Sequence, residues 1–387
     1  MSATVLPHSD TAMGVLDAAR ALAPEITARA DEIERERRVP LDLIESLAKA
    51  GCFRMMRPAS NGGMELDLMS VMRVVEALGR ADASTGWTVL IGAGSWLDLA
   101  GLPRATFDEV FPPDRDVIVA GVFAPSGSAV PVKDGYHVNG RWSFASGCQH
   151  ADWLYGNCID TSGEEPVLRI ALFEPGQVNI EDTWTVSGLC GTGSHHFSIR
   201  DAIIPAERTY NLFAEEHSVD VPMLHIPVPG VLALGIAAVA VGVAQGAIDE
   251  VLALAADKTP LLAPSSLAAN PLFQYRMADA DVRLRAARSL LYSDAEAAWA
   301  AATGGDELTP QLRARIRSAA VFATSTAAAV IDSAYTAGGG SSLYATSPLQ
   351  RRLRDIHAMT QHFLVKLDTL TTCGAVLAGA DADLTIF

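Results

Sequence analysis

The chain has 387 residues, of which 49% are hydrophobic and 19% are charged, and its formal net charge is -16. A chain of this length can bury a large core and is predicted to form two or three structural units. The negative charge argues against binding to nucleic acids and to anionic membranes, but it is compatible with a small ligand in a local pocket.

The N-terminal part of the chain has helical periodicity. Apolar residues recur at helical spacing, which predicts helices over 13–37, 41–50 and 69–79, and Ser84-Thr85-Gly86 leads into a fourth helix that runs through Leu99. Pro40 breaks the chain before the second of these helices. We therefore predict an N-terminal helical domain over residues 1–116.

The pattern changes to that of β-strands from about residue 117. Short β-rich segments over 117–120, 136–138 and 169–173 alternate with turn residues. The dipeptide Asn139-Gly140 predicts a tight hairpin turn. We predict a central β-domain over residues 117–220.

Long alanine- and leucine-rich helices follow. They predict a C-terminal helical domain over 221–387, with helices over 273–301, 310–337 and 349–378. Residues 231–244 are apolar on every side, but they fall short of the ~20 residues that a membrane span needs. Their small side chains favour a helix that is buried inside the protein and lies close to its neighbours.

The cysteines are scattered without a CxxC pair, at Cys52, Cys148, Cys158, Cys190 and Cys373. An odd number without a framework spacing predicts free thiols in a reducing compartment. The N-terminal residues show no basic segment followed by an apolar run, so we predict no signal peptide and a cytoplasmic location.

Three motifs point to a function. They are Trp-Ser-Phe-Ala-Ser-Gly at 142–147, Gly-Leu-Cys-Gly-Thr-Gly-Ser at 188–194, and a C-terminal set of Gly-Gly-Gly at 338–340, Pro348, Arg354-Asp355, His357 and His362. In this order they resemble the acyl-CoA dehydrogenase superfamily, and within it the two-component flavin-dependent monooxygenases. The resemblance extends from about Met13 to Lys366. It implies an α+β fold with an N-terminal helical domain, a central β-barrel domain and a C-terminal four-helix bundle.

The resemblance places the first motif beside the isoalloxazine ring of a flavin. It implies that Ser146 lies near the flavin N5 atom, where a hydroxyl can donate or accept a hydrogen bond. The aromatic side chains of Trp142 and Phe144 would shield the ring from water. The alternative for Ser146 is a serine that ends a strand.

The second motif is rich in glycine and has two hydroxyl side chains, Thr192 and Ser194. Such a loop can present backbone N–H groups to a phosphate or to the edge of a ring, and the resemblance places it near the flavin. Trp184 is either a core residue or a wall of that site. The adjacent His195 and His196 would point to opposite faces of a strand, so we predict no metal site there.

The resemblance also implies contacts from the C-terminal domain. Gly339 would lie at a subunit contact near the cofactor, and Arg276 would reach a neighbour's cofactor or belong to a solvated helix face. Thr336 stands where dehydrogenases carry a glutamine that holds the ADP half of FAD. This difference favours FMN or a loosely held FAD.

A dehydrogenase of this superfamily often has a glutamate base shortly after the Arg-Asp pair. Here the matching segment is Gln361-His362-Phe363-Leu364, without a carboxylate. His357 and His362 would be about 140° apart on one helix and would not share a face. His362 aligns better, so the resemblance implies that it is a catalytic residue together with Ser146.

One feature of the monooxygenase branch is missing. Many relatives carry a histidine in the helix after Ser-Thr-Gly-Trp, but after Trp87 this chain has Gly-Ala-Gly-Ser at 92–95. Activation of the substrate is therefore expected to differ, or to come from the substrate itself.

These observations predict a flavin-dependent monooxygenase that hydroxylates a small aromatic or polycyclic substrate through a C4a-hydroperoxyflavin. The resemblance implies O2, reduced FMN or FAD from a separate NAD(P)H-dependent reductase, and a homotetramer. Two alternatives stay open. One is a dehydrogenase or oxidase that acts on an acyl thioester, and the other is a non-catalytic flavoprotein subunit.

Overall fold

Helices come first, strands follow, and helices return in the computed structural model, which describes residues 8–213 and 217–387. This order confirms the predicted fold class. Within the described residues, the predicted domain boundaries at 116 and 220 fall between elements, and the division of the chain into three domains stays a prediction.

The N-terminal helices of the described chain are α1 (His8–Ala28), α2 (Ala30–Glu36), α3 (Leu41–Lys49), α4 (Leu68–Ala81), α5 (Ala83–Gly94) and α6 (Arg104–Val110). Two of them begin with an aspartate that caps the helix. Asp67 accepts a 2.9 Å hydrogen bond from the N–H of Ser70 at the start of α4, and Asp82 accepts one of 2.7 Å from the N–H of Thr85 at the start of α5. The second cap fixes the start of the helix that will form one wall of the site.

The middle of the chain forms one seven-stranded sheet in the described residues, with the order β5-β6-β2-β1-β3-β4-β7. Its strands are β1 (Val119–Val132), β2 (Gly135–Ala145), β3 (Trp153–Asp160), β4 (Val167–Phe173), β5 (Asn179–Glu181), β6 (His195–Ile204) and β7 (Thr209–Asn211). Strands β1 and β3 are parallel, and the other neighbours are antiparallel.

The predicted turn at Asn139-Gly140 is wrong. Both residues lie inside β2, where Gly140 pairs with Gly127, and the chain turns instead between Val132 and Gly135. A glycine is required at 140 for another reason, because a Cβ atom there would collide with the indole ring of Trp142. Packing in the core therefore explains a residue that local sequence assigned to a turn.

The C-terminal helices are α7 (Val228–Asp257), α8 (Pro271–Gly304), α9 (Pro310–Gly338), α10 (Pro348–Met359) and α11 (Thr369–Leu377). By length and composition alone α7 could cross a membrane, but 89% of its most apolar window is buried inside the protein. Gly242 of α7 lies against the carbonyl of Glu76, and Gly79 of α4 lies against the backbone of Val239. The close contact that small residues predicted for this buried helix is confirmed.

The predicted helix over 349–378 is interrupted. Helix α10 ends at Met359 and α11 begins at Thr369, with turns between them. The buried Arg317 of α9 donates a 3.2 Å hydrogen bond to the carbonyl of Leu364 in this connection. A carbonyl in the connection thus has a side-chain donor from α9, a long-range contact that helical periodicity could not show.

Candidate active site

A cavity of about 420 Å³ lies between α5, the sheet, the start of α7 and the connection after α10. Trp87 and Ile91 of α5 line it, together with Ser95, which directly follows the helix. They share one face of the helix because they are four residues apart. The volume is in the range typical of small-molecule sites.

Ser146 is held in a chain of hydrogen bonds at one side of the cavity. The indole N–H of Trp87 donates to Ser146 Oγ at 3.1 Å, and Ser146 Oγ lies 2.7 Å from Ser194 Oγ. Ser194 Oγ lies 2.7 Å from Thr192 Oγ1, which donates to the carbonyl of Leu189 at 2.8 Å. We call these three hydroxyls the hydroxyl chain.

The direction of the hydroxyl chain follows from the number of protons. Each hydroxyl has one proton and two acceptor positions. Since Thr192 gives its proton to a carbonyl, Ser194 donates to Thr192, and Ser146 in turn donates to Ser194. Ser146 also accepts from Trp87. One acceptor position on Ser146 therefore remains for a donor that enters the cavity.

Phe144 lies beside Ser146 in an unusual backbone conformation. Its φ is 70°, and its side chain is 68% exposed although it is aromatic. The register of β2 against β6 shifts between Trp142 and Ala145, so a bulge turns Phe144 toward Trp184, whose ring is 6.0 Å away in an edge-on contact. A non-glycine residue with positive φ is strained, which is typical of functional sites.

Trp142 has a different place from the one predicted. It is fully buried in the core of the sheet, stacks on Phe197 at 4.9 Å, and donates a 2.8 Å hydrogen bond to the carbonyl of Asn157. It is absent from the described lining of the cavity. Trp142 therefore packs behind the strand that presents Phe144 and Ser146.

His362 lines the cavity from the connection after α10. Its ring lies 5.3 Å from that of Trp87. Burial and the nearby Arg317 lower the pKa of His362 to about 4, so its ring is neutral near pH 7. Its Nδ1 accepts a 3.4 Å hydrogen bond from the N–H of Leu364, which assigns the ring proton to Nε2. In this form His362 is a hydrogen-bond donor.

His357 lies apart from this site. It is exposed on α10, and its Nε2 is 3.0 Å from a carboxylate oxygen of Asp332. The structure separates His357 from His362 as predicted, but for another reason. The helix ends at Met359, so the angle between positions on one helix does not apply to the pair.

Several backbone N–H groups of the glycine-rich loop already have hydrogen-bond partners within the protein. The N–H of Leu189 donates to Asp355 at 2.7 Å, and the N–H groups of Thr192 and Gly193 bond to carbonyls within the loop. Gly188 lies against the backbone of Arg354, too close for a side chain. These three N–H groups are already bonded, so they are not free to bind a phosphate, and the place of the loop near the flavin stays a prediction. Of the two predicted hydroxyls, Ser194 lines the cavity and the buried Thr192 lies behind it.

Asp98 and Tyr155 also line the cavity, and sequence reasoning missed both. The hydroxyl of Tyr155 donates to a carboxylate oxygen of Asp98 at 2.5 Å. Gly121 makes room for the Tyr155 ring. Burial raises the pKa of Asp98 to about 6. A signal was available, because Asp98 is the sole charged residue from 83 to 102 in the sequence.

A pair of phenylalanines that sequence reasoning also missed completes this part of the cavity. Phe123 of β1 stacks on Phe363 at 5.9 Å, and Phe363 lies 4.9 Å from the ring of His362. The residues are 240 positions apart in the sequence, so only the fold brings them together.

Two residues that were predicted to act at a subunit contact or at a neighbour's cofactor lie outside the cavity of their own chain, and these roles stay predictions. Arg276 is half-buried on α8, and Gly339 is exposed just after α9 with a φ of 59°. Neither is in the described lining of the cavity within one chain. Lys258 donates to the carbonyl of Gly338 at 2.6 Å and so fixes the glycine loop.

The residues of the cavity fit a flavin ring. Ser146 has an unused acceptor position, and Phe144 and Trp184 offer aromatic surface beside it. In the described part of the chain, no three His, Cys, Asp or Glu side chains converge as a metal site requires. The site suits a flat aromatic ring with an N–H donor.

Comparison with known proteins agrees with this geometry. Residues 9–101 match the family model of the acyl-CoA dehydrogenase N-terminal domain, and residues 234–367 match that of the acyl-CoA dehydrogenase C-terminal domain.

Relatives cover nearly the whole chain. An indole-3-acetate monooxygenase of Pseudomonas putida is 31% identical over 91% of this chain and 90% of its own length. The flavin-dependent monooxygenase oxygenase subunit HsaA of Rhodococcus jostii is 31% identical over 88% of this chain and 92% of its own length. The solved structure of XiaF from Streptomyces, in complex with FADH2 and glycerol, is 26% identical and covers 97% of this chain and 98% of its own, with a TM-score of 0.91.

These likenesses and the cavity geometry support the same assignment. The chain belongs to the flavin-dependent monooxygenases that are built on the acyl-CoA dehydrogenase fold.

Proposed function

We propose that the protein is the oxygenase component of a two-component system and hydroxylates a small aromatic substrate. A separate NAD(P)H-dependent reductase would supply reduced flavin, and O2 would supply the inserted oxygen atom. The observation that carries the proposal is the hydroxyl chain, which leaves Ser146 with one open acceptor position in a cavity with largely apolar and aromatic walls.

The bound flavin would supply the chemistry that activates O2. Residues of the chain would prepare its surroundings. Ser146 would accept a hydrogen bond from the N–H of the reduced ring, and Phe144 and Trp184 would cover the ring and exclude water. His362 offers its Nε2 proton to an oxygen atom that carries negative charge.

A dehydrogenase function is less well supported. It would need a base near the reacting carbon of the substrate. At the position of the dehydrogenase glutamate the chain has the segment with His362, whose pKa of about 4 makes it a poor base. Asp98 is the carboxylate in the described lining of the cavity. It follows the C-terminal end of α5, whereas Ser146 contacts Trp87 near the start of that helix.

We propose either reduced FAD or reduced FMN as the cofactor. The contacts inferred for Ser146, Phe144 and Trp184 involve the ring that both flavins share. Thr336, near the end of α9, has a short side chain where dehydrogenases use glutamine. Binding through the ring rather than the ADP half would suit a flavin that passes between reductase and oxygenase.

We also propose a homotetramer in the cytoplasm. Large apolar side chains are strongly exposed around α8 and after α9, at Leu261, Leu262, Tyr275, Leu343 and Tyr344, with exposed fractions of 92%, 96%, 69%, 72% and 70%. Contacts between subunits would cover such a surface. They would also bring Arg276 and Gly339 of one subunit toward the cofactor of another.

Isotope labelling tests the function. Purified protein, chemically reduced FAD or FMN and a panel of phenols and indoles would be mixed with isotopically labelled O2. One labelled oxygen atom in the product would support the proposal. A product whose new oxygen atom comes from water would overturn the proposal. Bleaching of oxidised flavin by an acyl thioester, without any flavin-dependent product from the panel, would overturn it in favour of a dehydrogenase.

A further inference from the structure

One carboxyl group lies in a cavity whose walls are otherwise almost uncharged. Asp98 is 6% exposed, and the described lining residues include no lysine or arginine. We propose that Asp98, held by Tyr155, selects a neutral aromatic substrate that carries a hydrogen-bond donor, and that it disfavours substrates with a carboxylate. The donor would be a phenolic O–H or a ring N–H. This inference rests on the proposed function and deepens it.

Asp98 and Ser146 mark opposite ends of the cavity wall that α5 forms. Trp87, which contacts Ser146, and Ser95 are eight residues apart, or about 12 Å along a helix. Asp98 follows Ser95 by three residues, beyond the C-terminal end of α5. A substrate that meets the flavin near Ser146 would therefore point its far end toward Asp98.

The carboxyl group of Asp98 is only partly used by the protein. Tyr155 donates to Oδ2, and no side-chain or backbone donor reaches Oδ1 among the residues that the structure describes. Burial raises the pKa of Tyr155 well above its ordinary value, so the phenol stays a donor. A carboxylate oxygen can accept a further hydrogen bond, which a substrate in the cavity can provide.

The backbone around Asp98 is fixed, so the carboxyl group is held in place. The hydroxyl of Tyr210 donates to the carbonyl of Asp98, and Gly101 gives the Tyr210 ring its space. The end of α5 also presents the negative end of a helix dipole to this region. Both features disfavour a second negative charge beside Asp98.

The cation that acts on His362 is not available to a substrate. Arg317 is buried, is absent from the described lining of the cavity, and donates to the carbonyl groups of Leu364 and Ile386 at 3.2 and 2.6 Å. A substrate carboxylate in the cavity would thus meet Asp98 without a partner of opposite charge, which is costly in a buried site. The substrate named for the Pseudomonas putida relative carries such a carboxylate, so we infer a different substrate here.

Pairs of isomeric ligands test whether the site requires a hydrogen-bond donor on the substrate. Binding to the reduced-flavin complex would be measured without O2, with 4-ethylphenol against 4-methylanisole and 3-methylindole against 1-methylindole. Each pair has equal composition, but only the first member has a donor. In at least one pair, we expect the isomer with the hydrogen-bond donor to bind about 10- to 100-fold more tightly than the isomer without it, as expected for a hydrogen bond to a charged group. Equal binding within both pairs would overturn the inference, even if labelled product still supports the monooxygenase.

Two ligands that differ in charge, and two variants of the protein, complete the test. We expect 4-hydroxyphenylacetamide to bind more tightly than 4-hydroxyphenylacetate, and the reverse order would contradict the inference. Asp98→Asn should shrink the preference in both tests, whereas Asp134→Asn, on the exposed turn between β1 and β2, should leave it unchanged. If Asp98→Asn does not fold, the isomer pairs on the unchanged protein still decide. If folded Asp98→Asn keeps the full preference for donor-bearing and uncharged ligands, another residue is responsible for that preference and the inference is wrong.

Discussion

Asp355 accepts a 2.7 Å hydrogen bond from the backbone N–H of Leu189, a residue 166 positions earlier in the chain. Leu189 has a φ of 53°, which a non-glycine residue adopts at a cost. Its carbonyl receives the last proton of the hydroxyl chain. The Arg-Asp pair of the sequence motif therefore helps to hold the loop that orients Ser146, rather than taking part in chemistry.

The charge of Asp355 should make stability depend on pH. Burial and the nearby Asp82 raise the pKa of Asp355 to about 7 in the folded chain, against an ordinary value of about 3.9. The folded chain therefore holds this proton more tightly than the unfolded chain does. The resulting contribution to the free energy of unfolding is fully present at a pH below the unfolded pKa and is lost as the pH rises through about 7. Asp355→Asn keeps an acceptor for Leu189, so it should be as stable as wild type near pH 4 and more stable near pH 8. Urea unfolding at both values measures this, and an unchanged pH dependence would refute it.

The direction of the hydroxyl chain predicts a preference for reduced flavin. Ser146 is an acceptor in the wild type and matches the N–H of the reduced ring, whereas the oxidised ring offers an acceptor at the same atom. Ser194→Ala would free the proton of Ser146 and improve binding of oxidised flavin relative to reduced flavin. Ser146→Ala should weaken the binding of reduced flavin by about 1–3 kcal/mol. Dissociation constants for both redox states give the ratio, and a ratio unchanged in Ser194→Ala would contradict the assigned direction.

His362 should control what happens to the oxygen, not whether flavin binds. His362→Asn should bind reduced flavin normally but form hydroxylated product about 10²- to 10⁴-fold more slowly, with release of hydrogen peroxide. His357→Asn, exposed and paired with Asp332, is the matched control and should change little. Because the pKa of His362 is about 4, its titration should not alter the yield of product between about pH 6 and pH 9. A larger effect of His357→Asn would reverse the assignment.

Substitutions at Phe144 should separate a backbone effect on stability from an effect of the ring on flavin binding. Its positive φ favours glycine, so Phe144→Gly should be more stable than Phe144→Ala by about 1 kcal/mol. Both variants lose the aromatic ring and should bind reduced flavin more weakly to a similar degree. Thermal unfolding and anaerobic titration measure the two effects. Normal binding by either variant would show that the ring does not cover the flavin.

Local pattern and family resemblance predicted different parts of this protein. The order of helices and strands was predictable because periodicity depends on residues within a few turns of each other. Ser146 and His362 were placed by resemblance, and the structure brings both to one cavity. Their roles in catalysis stay predictions.

The errors and omissions have one physical cause, which is contact between residues distant in sequence. Gly140 serves the ring of Trp142 rather than a turn. Arg317 of another helix donates to a carbonyl group in the connection that interrupts the helix predicted after Pro348. Asp98 meets a tyrosine 57 positions away. None of these contacts leaves a periodic pattern in the sequence.

The contact between α4 and α7 limits how the protein can be stabilised by design. Replacing a helical glycine by alanine usually favours the helix by up to about 1 kcal/mol. Here a methyl group at Gly242 would meet the carbonyl of Glu76, and one at Gly86 of α5 would meet the backbone of Gly79. The substitution would push apart helices on which Trp87 depends for its position. An attempt to gain thermal tolerance at these glycines would therefore alter the shape of the cavity and, with it, the choice of substrate.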